Sequence, residues 1–166
     1  MSKRILRAGL AVALIALGVC AWRIFFPSAE QVIRKRLNEV ARTASFSAKE
    51  APLATALNSQ KLANCFAPEV EIRVDVPGRW QHTFHGRDEI AQAAASARSL
   101  VGGLSVEFLD ITVTIAPDRE SAEASLTLKA RVAGEKDLIV QELKFFLKRI
   151  DGTWLIIRVE TVKTLS

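Results

Sequence analysis

The chain has 166 residues, 49% hydrophobic and 25% charged, with a formal net charge of +5, a balance that suits one globular domain. Its pI near 9.6 does not make it a nucleic-acid binder. The basic residues gather at the N-terminus and in Arg34, Lys35 and Arg36, and the remainder alternates in sign without zinc spacing, a helix-turn-helix signature or an aromatic-rich basic strand.

Residues 8–22, AGLAVALIALGVCAW, carry no charge and follow Lys3, Arg4 and Arg7. From Ile5 to Phe26 the stretch is 22 residues long, enough to cross a bilayer core that needs about 20. A retained membrane anchor is expected, with Arg23 snorkelling and Trp22 at the interface. Bulky residues in VCAWRIFF disfavour signal cleavage, and Val19 stands where a lipoprotein sequence ending at Cys20 wants a small residue. A cleaved signal with a secreted ligand-binding domain behind it stays open as the alternative. The basic N-terminal tip favours a single-pass protein of the bacterial inner membrane with its C-terminal domain in the periplasm, opposed in part by the basic run at 34–36. Residues 1–27 are thus read as tip and anchor, and 28–166 as the domain.

Ser28 and Gln31 form a capping box for a helix to about residue 43, with Val32, Ile33, Leu37 and Val40 as its apolar stripe. A break at Ser45 and Phe46 leads to a second helix starting near Ser47, with Leu53, Leu57, Leu62 and Phe66 expected inward. EVEIRVDV at 69–76 alternates with period two and predicts a half-buried strand. Pro77-Gly78 turns it into the short strand RWQHTF, and Gly86 opens a third helix with acids in its first turn. Four strands follow, at 104–115, 122–132, 138–150 and 153–162, the last two joined by a tight turn at Asp151-Gly152. Cys65 is expected to be a buried small hydrophobe, and no disulfide is expected.

This order predicts an α+β fold, three helices packed on a curved, mostly antiparallel sheet in the order α-α-β-β-α-β-β-β-β. CFAPEVEIRV after the helical pair, FHGRDEI before the third helix and FFLKRIDGTWLIIRVETV at the close resemble the SnoaL-like branch of the nuclear transport factor 2-like superfamily, over residues 28–165. The resemblance implies a cystatin-like cone enclosing a pocket, and a homodimer through the outer sheet face. It extends to isomerases, cyclases and dehydratases as well as to non-catalytic binding modules, so the fold does not name an activity.

Few residues are candidates for chemistry. Asp75 lies near where isomerase relatives carry a carboxylate base, and His82 and His85 flank the short strand, yet strand-end, capping and edge roles compete for all three. Trp80, Gln141, Arg158 and Glu160 are candidates for contacting a ligand, with Arg158 and Glu160 placed on the face of Trp154 and Ile156. The chain has no tyrosine, which removes the phenolic donor of the isomerases. It has two histidines, and neither sits in a cluster with metal-ligand spacing. The expectation is a membrane-tethered binding or assembly module without a cofactor or metal, engaging a small hydrophobic ligand or a protein; the alternative is a SnoaL-like enzyme acting on such a ligand.

Overall fold

The computed structural model describes residues 28–48, 50–76 and 80–162. The apolar segment at 5–26 and the Pro77-Gly78 turn lie outside the described residues, as do the side chains of Val76 and Trp80. Among the described residues no helix is long and apolar enough to cross a membrane.

The elements are α1 (Ala29–Ala44), β1 (Phe46–Ser47), α2 (Pro52–Ala63), β2 (Phe66–Val76), β3 (Trp80–His85), α3 (Gly86–Leu100), β4 (Gly103–Ile115), β5 (Ser121–Val132), β6 (Leu138–Ile150) and β7 (Thr153–Thr161). The strands form a seven-stranded sheet in the order β1-β4-β5-β6-β7-β2-β3. Every neighbouring pair is antiparallel except β2 with β7, which run parallel. The fold is α+β as expected, with one two-residue strand added at the break after α1.

Local chemistry sets the element ends. The Ser28 hydroxyl accepts from the Gln31 backbone N–H at 3.3 Å while the Gln31 side-chain Oε1 accepts from the Ser28 N–H at 3.1 Å, the reciprocal cap that starts α1. At the β6–β7 turn, Asp151 and Gly152 both have positive φ, 48° and 77°, the conformation whose twist matches a two-residue hairpin. Gly86 has φ 78°, and a Cβ there would meet the Pro68 carbonyl oxygen at 3.3 Å, so glycine is required where β3 bends into α3.

α2 departs from expectation. It begins at Pro52 behind Ala51, and Leu53 and Leu57 are 72% and 53% exposed whereas Leu62 and Phe66 are buried. At 3.6 residues per turn Leu62 lies about 140° around the helix from Leu57, so the four never shared one face. α2 instead rests on Ser59, Leu62 and Ala63.

Two bulges reset which side chains face the helices. In β4 the pairing with β5 slips between Leu109 and Thr112, where Asp110 has φ 53°. Val106 and Phe108 pair with buried or half-buried residues on the helix side, as do Val113 and Ile115 beyond the slip, so Leu109 turns outward. It therefore does not share the face of Ile111, Val113 and Ile115. In β7 the pairing with β6 slips between Phe146 and Leu147. Trp154 and Ile156 are buried before the slip and Val159 after it, so Arg158 and Glu160 fall on the open face, against the expectation that grouped them with Trp154 and Ile156. An extra residue in one strand of a pair inverts the alternation beyond it and sharpens the bend.

The core lies between the sheet and the helices, built from Ile33, Leu37 and Val40 of α1, Phe145 and Leu147 of β6, and Trp154 and Ile156 of β7. Cys65 is buried with them, as expected, and burial pushes its thiol up from its ordinary value, opposed by a contact with Arg36. One charged group fastens the helices together. The Arg98 side chain, 2% exposed, pairs with Glu50 at 3.1 Å, donates to the Thr43 and Ala94 carbonyls, and stacks 5.2 Å from the Phe46 ring centre.

Candidate functional site

On the helix side of the sheet, α1 and strands β2, β4, β5, β6 and β7 surround a cavity of about 550 Å³, within the size range of small-molecule sites. Ile72 and Val74 of β2, Val106 and Phe108 of β4, Leu128 of β5 and Phe145 of β6 supply its walls. Each stands there because inward-facing strand positions are apolar and α1 covers only part of the sheet. The polar residues among the described lining are Asp137, Gln141 and Thr161, all at one end.

Among the ligand candidates whose side chains are described, Gln141 lines the cavity; its amide donates to the Val162 and Glu142 carbonyls at 3.3 Å each. Asp75 does not face it. Ile72 and Val74 point into the cavity, so the alternate position Asp75 projects to the opposite face, while its N–H donates to the Thr161 hydroxyl at 3.2 Å. Arg158 and Glu160 also stand on the open face, paired with each other at 3.2 Å, with the Arg158 guanidinium 3.9 Å over the Phe146 ring centre. Trp80 pairs with Val76 through the backbone, and its side chain lies outside the described residues.

The two histidines separate. His82 pairs with Val74 and so points to the helix side, at the sheet edge and outside the cavity lining. It is 50% exposed, 3.8 Å from the Glu89 carboxylate and edge-on to Phe84 at 4.4 Å. His85, three positions on, faces the other way at the start of α3, and its N–H donates to Glu89 at 2.6 Å. Arg87 donates twice to the Phe66 carbonyl, at 3.0 and 2.6 Å. Arg87 and Glu89 thus tie the start of α3 to β2 and β3.

Residue-by-residue reading missed the cavity rim. Leu138, Ile139 and Val140 line it and are exposed. The signal was present: three successive apolar residues open β6, where a half-buried strand alternates. Thr161 was hidden by the β7 bulge. Among the described residues no group of histidine, cysteine and carboxylate side chains could hold a metal ion.

The fold matches solved structures over most of its length. A scytalone dehydratase-like protein of Novosphingobium aromaticivorans DSM 12444 superposes with TM-score 0.59 at 16% identity, covering 82% of this chain and 84% of that one. A nuclear transport factor 2-like protein of unknown function from Pseudomonas putida KT2440 gives TM-score 0.61 at 13% identity, covering 83% and 88%. A cystatin-like domain of unknown function from Nostoc punctiforme PCC 73102 gives 0.63 at 15%, covering 85% and 80%. At such identities the likeness concerns the fold. No curated protein sequence matches the chain. The model of the SnoaL-like domain matches residues 44–160, the stretch holding all seven strands except the last residue of β7 and all of the cavity lining but Val40 and Thr161, and the chain therefore belongs to the SnoaL-like family of the nuclear transport factor 2-like superfamily.

Proposed function

We propose that this protein is a membrane-tethered, extracytoplasmic binding module that holds a small apolar ligand in its cavity without transforming it. The observation that carries the reading is the cavity wall. Its described residues are apolar apart from Asp137, Gln141 and Thr161, which favours burial of hydrocarbon surface at roughly 25 cal/mol per Å²; Asp137, the one side chain among the described lining able to move a proton, is exposed at the rim. The tether is supported by the uncharged stretch of residues 8–22 behind three basic residues.

A neutral apolar dye such as Nile red should brighten on binding the purified chain. Leu128→Trp, which fills the cavity from β5, should abolish that signal while a cooperative thermal melt is kept; undiminished binding would overturn the reading. Alkaline phosphatase fused after Ser166 should be active in carbonate-washed membranes, since it folds only where disulfides form. Activity released as soluble protein would favour a secreted domain instead.

A second reading, dehydratase- or isomerase-type catalysis on the same ligand, draws on His82. It stands on the helix side of the sheet, at the edge beyond the cavity lining, with the Glu89 carboxylate 3.8 Å away, a distance for charge attraction to a protonated imidazole and too long for a hydrogen bond. His82→Gln separates the readings: under the binding reading it leaves dye affinity and ligand recovery unchanged, whereas a loss of product with affinity intact would establish the catalytic one.

A further inference from the structure

The place of the cavity on the strands, together with the point where the chain enters the domain, orients the molecule. α1 runs antiparallel to β4. Ala29 borders the same surface pocket as Ile115, Ala116 and Arg119, Arg34 donates to the Ile111 carbonyl at 2.6 Å further along, and at the far end the Val106 N–H donates to the Ser45 hydroxyl at 2.9 Å. The β4–β5 turn is therefore at the same pole as Ser28. The β6–β7 turn joins it there, because the Arg149 N–H donates to the Glu120 carbonyl at 2.7 Å. The cavity rim is at the other pole. Leu104 pairs with Val132 and Leu138 with Arg131, across the connection that also carries Asp137.

β6 measures the separation. Lys148 pairs with Ser121 beside the first turn, and Val140 pairs with Lys129 near the rim. At about 3.3 Å per residue the strand path between Val140 and Lys148 is roughly 26 Å. The sequence leaves Pro27 and Ser28 between Phe26 and the first residue of α1, which is too short a connection to reach from one pole to the other.

We propose that the domain stands on the bilayer on the pole of the two turns and holds the mouth of its cavity towards the aqueous phase, so that the apolar ligand is exchanged with an aqueous donor or acceptor and not drawn from the lipid. This rests on the tether of the preceding section. Arg119, Lys148 and Arg149 are exposed at the turn pole, interleaved with Asp118, Glu120 and Asp151, where they meet lipid headgroups. The exposed Leu138, Ile139 and Val140 are held away from the membrane. The rival arrangement turns the molecule over and dips this apolar rim into the bilayer.

A pair of labels on one strand decides between them. Lys148→Cys and Val140→Cys lie on the same face of β6, and both are exposed. They are introduced singly into the full chain with Cys20→Ser; Cys65 is buried and stays unlabelled. Each variant carries a fluorophore and is reconstituted into phosphatidylethanolamine–phosphatidylglycerol vesicles containing headgroup spin-labelled lipid. The expected result is quenching several-fold stronger at position 148 than at position 140. Equal or stronger quenching at 140 overturns the orientation while leaving the tether intact. A chain that fails to float with the vesicles after a carbonate wash overturns the tether, and this orientation with it.

Discussion

The helix-covered and open faces of the sheet come from alternate residues of the same strands. On β6, Leu143, Phe145 and Leu147 are buried beneath the helices, while Lys144 on the open face reaches Glu123 at 2.7 Å and Phe146 lies under the Arg158 guanidinium at 3.9 Å. On β5, Leu126 is buried whereas Lys129 pairs with Glu107 at 3.0 Å. One face is held by apolar burial and leaves a cavity where helix cover ends; the other is a lattice of exposed ion pairs, each worth about 0–1 kcal/mol. Stability and ligand capacity therefore share one side of the sheet. A homodimer through the open face, as the family resemblance implies, would be a charged, wet interface.

Variants placed on each face test this contrast. The largest effect is expected for Trp154→Ala. Trp154 is buried on β7, and such a truncation costs about 3–5 kcal/mol, so its thermal midpoint should fall far more than that of Phe146→Ala on the open face. A drop as large for Phe146 would mean that the open face is itself covered. Next comes Arg98→Ala, which strips Glu50 of a partner inside the helix layer. About 3 kcal/mol is expected in urea unfolding, and a cost below about 1 kcal/mol would show the cluster to be as weak as a surface pair.

The bulge in β4 divides the faces, and Asp110 holds its positive φ of 53°. Asp110→Val should cost about 1–3 kcal/mol because a β-branched residue resists that conformation, whereas Asp110→Gly should be neutral or stabilising; equal melts for the two would remove the bulge from the account. A smaller effect, below about 1 kcal/mol and reduced further by salt, is expected for Lys129→Ala. The smallest concerns the fully exposed Asp118. Hydrogen bonds from the Ser121 hydroxyl and from the N–H groups of Glu120 and Ser121 hold its carboxyl below the ordinary value of 3.8. A depressed value in the folded state gives stability that is present above the ordinary value of 3.8 and is lost below it, as pH falls through the lower folded-state value. Acid melts of Asp118→Asn should lack that contribution, and an unchanged acid profile would exclude it.

Much of this architecture is local in origin, and the sequence determined it by itself. The Ser28–Gln31 cap, the Asp151-Gly152 turn and the period-two alternation of β5 and β6 depend on neighbours within a few residues, and each stands in the structure where the sequence places it. Trp154, two residues past that turn, is buried on the helix side. The candidate site was less legible. Gln141 was within reach because β6 alternates without interruption into the cavity, but Arg158 and Glu160 were assigned to the wrong face because one extra residue in β7 inverts every position after it. The β4 bulge did leave a trace, since Leu104, Val106 and Phe108 are even-numbered and Ile111, Val113 and Ile115 odd. The parallel pairing of β2 with β7 had none, and of the cavity left beyond α1 only the apolar run Leu138-Ile139-Val140 gave a sign. They depend on contacts between segments some 90 residues apart in sequence, and only the tertiary structure decides which apolar faces meet and where their cover runs out.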